Sequence, residues 1–320
     1  MATRAEIEQQ LTRERSFRRR LGLPAVLGGV LYLVSAVVVG ATLGKTPAVG
    51  LLQGLAPALR GEAEPRVSPR AEEVRFVSHH AAPLILSSVL AAAAVLALTV
   101  AVLALWRATR FRRPESWPPT AAFLLSGGVA FAAIGVAHQV ALAITTHQFA
   151  TGHDFSNHAV DRALTKGTAN VTLGYLGFIA GVALAVGMIA TMTNAMRVGL
   201  LTRWMGVLGI ISAFVIFLPT FGPTFDIVPA FWLAALGLLF MGRWPGAEPP
   251  AWAAGEARPW PTQAERAAER QRERAPADGG GDGGRAPDEP AVEVVPEPQP
   301  RGANGAAAAK RRRRKRGARR

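Results

Sequence analysis

The sequence contains no cysteine. That excludes disulfide cross-links, thiol nucleophiles, iron–sulfur clusters and cysteine-ligated zinc. Lysine is scarce too, supplying 4 of the 36 basic residues, with arginine making up the rest. No Walker motif, GxSxG elbow, HExxH or HxH spacing occurs, so the compact signatures of nucleotide, acyl-transfer and zinc-hydrolase chemistry are missing. Charge is also missing from six apolar stretches that contain no Asp, Glu, Lys or Arg. Charged groups at membrane depth are expensive, and a carboxylate or cation inside a span is the usual mark of ion coupling.

What remains is half apolar, and its apolar residues come in runs. A hydrocarbon core about 30 Å thick takes about 20 helical residues, because backbone groups there find no water. The stretches 21–43, 83–106, 120–144 and 170–191 reach that length, whereas 204–219 and 227–241 are shorter. Gly222, Pro223 and Pro229 punctuate the connection between the last two. The expected fold is all-α, a polytopic membrane bundle of six transmembrane helices over 21–242. A re-entrant hairpin is the alternative for the final pair. The first run exceeds the 7 to 15 residues of a signal-peptide core, so it reads as an uncleaved helix.

Basic residues orient such a bundle, since Lys and Arg are retained on the cytoplasmic side. Arg4, Arg13, Arg15, Arg18, Arg19 and Arg20 precede the first span, within a basic segment over 1–20. Arg107, Arg110, Arg112 and Arg113 follow the second, and Arg197 and Arg203 lie between the fourth and fifth. With six crossings all twelve share one side with the C-terminus. The other side carries seven basic and seven acidic residues, so the whole net charge of +14 belongs to the first side. Trp106, Trp117, Trp204 and Trp244 fall at span ends on that side, as headgroup-level tryptophans do, whereas Trp232 reads as packing. The expectation is a bacterial inner membrane protein with both termini cytoplasmic.

Two hydrophilic regions flank these spans. The loop 44–82 contains an apolar periodicity over 48–59, led by Pro47 and interrupted by Pro57, that suits an interfacial helix or a short helix over the bundle mouth. The stretch 243–320 is rich in Pro, Gly, Ala and charge and reads as a disordered cytoplasmic tail. Thr262 and Glu265 form a capping box for one short helix over 263–274. The end of the tail clusters Lys310, Arg311, Arg312, Arg313, Arg314, Lys315 and Arg316. A block this dense contacts anionic lipid headgroups, the bilayer being its nearest polyanion. No aromatic residue is interleaved for base stacking, which argues against nucleic acid.

The six histidines all fall on or near the outer side. His153, Asp154, His158 and Asp161 are candidate metal ligands, since a helix from 155 would bring the last three to one face. In the plainer alternative Asp154 or Ser156 caps a loop helix and the histidines are solvated. His80 and His138 are a candidate haem pair if they lie at equal depth on facing helices. Small-residue pairs, Gly40 with Gly44 and Gly177 with Gly181, together with Gly28–Gly29 and Gly127–Gly128, offer flat faces for packing in the bundle or for a homodimer. No residue set demands a cofactor.

The stretch LTRWMGVLGIISAFVIFLP at 201–219, continued by IVPAFWLAALGLLFMGRWPGAEPPAWAAGEARPWPTQAE at 227–265, resembles the end of an uncharacterised family of bacterial six-span membrane proteins. The segment RRRLGLPAVLGGVLYL at the first span and the Arg-heavy usage fit a high-GC, actinobacterial-type source. The resemblance implies the six-span architecture and brings no catalytic residues with it. The expected function is non-enzymatic, a membrane scaffold or accessory subunit. The alternatives are a small-solute permease and an outer-face metal or haem protein.

Overall fold

The structure, a computed structural model, describes residues 4–47, 67–218, 223–245 and 248–260, with 50, 59, 61, 265, 267, 268 and 271 as isolated positions. The chain divides into two units, Met1–Thr262 and Gln263–Arg320. Within the second, residues 265, 267, 268 and 271 are helical. The expected interfacial helix at 48–59 and the basic cluster at 310–316 lie outside the described residues.

The regular structure of the first unit is all helical, with no strand among its described residues. Its elements are α1 (Arg4–Leu43), α2 (Ala71–His79), α3 (Ala81–Arg112), α4 (Thr120–Thr151), α5 (Asn157–Asp161), α6 (Thr168–Val198), α7 (Arg203–Phe217), α8 (Ile227–Phe240) and α9 (Pro250–Ala254). A π-helical turn, Arg162–Lys166, links α5 to α6, and a 3-10 turn, Pro223–Asp226, leads into α8. The six charge-free runs fall on α1, α3, α4, α6, α7 and α8. Ala, Leu and Val dominate them, with the backbone bonded within each helix. The four long helices outrun their apolar runs. α1 starts seventeen residues before residue 21 and carries Pro24 in its interior without a break.

Neighbouring helices pack α1–α3–α4–α6–α7–α8 and back to α1, and α3 also meets α6. The centre is filled by fully buried side chains, among them Leu98, Leu124, Leu184, Met188, Met192, Trp232 and Leu236. Two glycines let α1 and α8 approach closely. A Cβ on Gly29 would stand 2.5 Å from the Ala230 carbonyl oxygen, and one on Gly237 would stand 2.6 Å from that of Gly22. The small-residue faces at Gly28–Gly29, Gly127–Gly128 and Gly181 are thus spent on packing within the bundle, whereas a Cβ on Gly40 would meet nothing. Buried hydroxyls fold back on their own helices. Thr99, Thr191 and Ser212 donate to the carbonyls of Val95, Gly187 and Leu208, and Ser35 reaches across to the Ser87 carbonyl at 2.8 Å.

The outside of the bundle is apolar instead of polar. Leu23, Leu27, Val30, Val34 and Val37 follow one exposed face of α1, and Leu86, Val89, Leu96 and Val100 one of α3. An exposed apolar belt this continuous needs a lipid or protein cover. Four helices are long and apolar enough to cross a membrane. These contain the first four expected spans. α7 and α8 have 15 and 14 residues, or about 22 and 21 Å at 1.5 Å per residue. Both stop short of their neighbours at the end opposite the arginine-rich one. Gly181 of α6 lies against Phe217, so the thirteen residues 168–180 run about 20 Å past the end of α7. Gly29 lies against Ala230, which places Asp226 near the level of residue 33 in α1, about 15 Å along the axis from Leu43. Asp226 is half-buried there, within electrostatic reach of Tyr32.

Candidate functional site

Three of the four expected ligands, Asp154, His158 and Asp161, are committed to near neighbours. Asp154 accepts from the Ser156 N–H at 3.0 Å, and that bond holds its carboxyl below the usual carboxylate range. Ser156, not Asp154, caps α5, its hydroxyl oxygen accepting from the Ala159 N–H. Arg162 Nη2 donates to His158 Nδ1 at 2.8 Å. Asp161 accepts from Lys166 Nζ at 2.6 Å and lies 3.8 Å from Arg70. Among the described residues no group of three or more His, Asp or Glu is arranged to hold a metal ion. His153 and Asp154 line an open, largely polar cleft of about 520 Å³ between α4 and the π-helical turn. That turn has its own logic. Its wider winding frees the Ala163 carbonyl, which accepts from Thr145 of α4 at 2.8 Å and from Asn170 of α6 at 3.0 Å.

The haem pairing fails on depth. His80 precedes α3, with Nδ1 2.9 Å from the Phe76 carbonyl and its ring stacked on Phe76. Gly128 of α4 abuts Thr99 of α3, which sets His138 level with residue 89, about 14 Å along the axis from His80. One iron cannot be held by both.

The structure builds its densest polar constellation at the opposite, arginine-rich end, where sequence reasoning saw only orientation charges. Glu14 of α1 and Arg112 of α3 form a bidentate pair, with Nη1–Oε1 and Nη2–Oε2 both 2.8 Å. Their side chains are 9% and 0% exposed, so this pair is desolvated. A buried guanidinium needs its remaining donors satisfied. Arg112 Nε and Nη2 donate to the Ala251 carbonyl at 3.1 and 2.9 Å, and Nη1 also donates to the Ala108 carbonyl at 3.0 Å. Arg112 thereby joins α1 and α3 to α9.

The segment 248–260 seats on the helix ends through several further contacts. Trp252 is 5% exposed, its Nε1 donates to the Leu200 carbonyl at 2.9 Å, and Phe240 meets its ring edge-on. Arg18 lies 4.4 Å over that ring and pairs with Glu248 at 2.7 Å. Trp260 Nε1 donates to the Leu201 carbonyl at 3.1 Å, and the Arg258 N–H to the Val198 carbonyl at 3.0 Å. Gly199 makes the last contact possible. It ends α6 at φ +80°, and the Arg258 carbonyl occupies the space where a side chain would begin. The expected boundary of the tail at 243 therefore moves to 263, because 248–260 belongs to the bundle. Its signals were local and easily overlooked: Pro250 opening α9, Gly255 closing it at φ +70°, and two tryptophans in a Pro-rich, charged stretch.

No known protein family matches the chain, and no characterised protein or solved structure is detectably similar to it.

Proposed function

We propose that the protein is a non-enzymatic integral membrane protein of the bacterial inner membrane, acting as a scaffold or accessory subunit. In this reading all six apolar helices cross, both termini are cytoplasmic, and the arginine-rich end faces the cytoplasm. The observation that carries it is the combination of an apolar exterior with a centre closed by packed side chains and, at the arginine-rich end, by the 248–260 cap. A permease needs a continuous polar path between helices, and a filled centre argues against one. Reconstituted into vesicles, the full chain is expected to leave the permeability to glycerol and other small neutral solutes at the level of protein-free vesicles. A saturable flux would overturn the reading.

One observation favours a permease as the second reading. Asp226 is a half-buried carboxylate near the level of residue 33 in α1, and in this membrane placement an ionisable group at that depth is a functional candidate by default. Under that reading Asp226→Asn abolishes a cation- or proton-dependent uptake that the parent protein supports. Under the scaffold reading neither protein supports any.

A further inference from the structure

A cleft of about 360 Å³ opens between α1 and α3 at the arginine-rich end, with Phe17, Phe240 and Trp252 supplying its apolar wall. Its charged residues are Arg13, Glu14, Arg18 and Arg107. Two of them are already neutralised. Glu14 is held by Arg112, and Arg18 by Glu248. Arg13 and Arg107 are exposed, and neither has an ion pair among the described residues. Two surplus positive charges, one from each of two adjacent helices, therefore face the same cleft.

Depth decides what would complement them. The Glu14–Arg112 pair fixes the register between α1 and α3, and this register sets Arg107 level with residue 19, just beyond the apolar run that begins at Leu21. Arg13 stands about 9 Å further out along the axis. Headgroups occupy the several ångströms outside the hydrocarbon core, which is the interval between these two arginines. Basic pockets between helices at the cytoplasmic face suit anionic headgroups, and guanidinium groups match phosphate oxygens in geometry as well as charge. The aromatic wall suits the glycerol and upper acyl region of the same molecule, whereas free phosphate would leave it uncovered.

We propose that this cleft is a binding site for one anionic phospholipid, its phosphate held between Arg13 and Arg107 and its glycerol end against Phe17 and Trp252. The proposal rests on the membrane placement argued above and is separate from the arginine cluster at the chain terminus. The test compares the full-length protein with an R13Q/R107Q variant and with R113Q/R243Q, which removes the same charge from the same end outside the cleft. Each is purified from membranes into detergent, exchanged through mixed micelles of phosphatidylglycerol and phosphatidylcholine, and weighed by native mass spectrometry. The parent and R113Q/R243Q proteins are expected to retain one phosphatidylglycerol, and R13Q/R107Q to lose it by at least tenfold. Millimolar inorganic phosphate is expected to leave the parent complex intact. Equal retention by all three proteins overturns the site. Equal loss in both variants reduces it to a general field effect, and displacement by inorganic phosphate makes it a phosphate site without lipid. Recovery of the parent protein in the soluble fraction would instead refute the membrane placement.

Discussion

Replacing Glu14 by Ala is the most informative single perturbation of the cap. Arg112 is fully buried, and Glu14 supplies the only carboxylate that pairs with it among the described residues. Removing one member of a buried pair leaves an uncompensated charge and costs roughly 3–5 kcal/mol. The structure places the expected loss near the lower bound, about 3 kcal/mol, because Arg112 keeps its bonds to the Ala251 and Ala108 carbonyls. Glu14→Gln retains one acceptor without the charge, so its cost should be smaller, about 2 kcal/mol, as for a hydrogen bond to a charged group. The assay is reversible unfolding of the detergent-purified protein in mixed SDS micelles, with a double-mutant cycle through Arg112→Met. Because E14A/R112M leaves no unpaired buried charge, it should be more stable than E14A alone. A loss below about 1 kcal/mol for E14A would show that Arg112 is hydrated and the pair exposed.

Two other substitutions probe different contacts. Gly199→Ala combines a positive φ with a side-chain atom in the space of the Arg258 carbonyl, so 248–260 should lift off and cleavage after Glu256 by a glutamyl endopeptidase should accelerate at least tenfold; an unchanged cleavage rate would mean that the cap is not seated there. Gly237→Val places its side chain on Gly22 and Val26 of α1. The α1–α8 contact cannot widen cheaply, and a loss of about 1–3 kcal/mol is expected from overpacking in the same unfolding assay, whereas a neutral outcome would show that the two helices are not in register as described.

The four long helices were legible because an uncharged run longer than the bilayer is thick has few other uses. Their ends were not, since α1 continues back through its arginine-rich segment, where Arg13, Arg15, Arg19 and Arg20 are exposed while the backbone stays helical. The depth of the α7–α8 hairpin was hidden for a different reason. Hydropathy reports how apolar a stretch is, and only the packing of Phe217 on Gly181 and Ala230 on Gly29 reveals how far the two helices reach along their neighbours. The same holds for the cap. Composition suggested that everything after residue 242 stays unfolded, yet Trp252 and Ala251 bury themselves against residues about 50 and 140 positions away in sequence. Arg112 looked like one of twelve orientation charges, and nothing in its neighbourhood distinguished it from Arg110 or Arg113 until Glu14 was brought beside it. At the outer side the proposed spacing of Asp154, His158 and Asp161 presumed a regular helix through 155–164. The five-residue α5 and the π-helical turn after it break that face, and basic neighbours take up two of the side chains.

The absence of cysteine makes the membrane arrangement directly measurable. Single cysteines introduced at Glu64, Thr224 and Asp278 can be labelled in intact cells with a membrane-impermeant maleimide, without a background from native thiols. Six crossings with both termini cytoplasmic predict labelling at 64 and 224 from outside and at 278 only after permeabilisation. Labelling of 278 in intact cells, or protection of 64, would contradict the orientation. Labelling of 224 only after permeabilisation would contradict the crossing of α7 and α8.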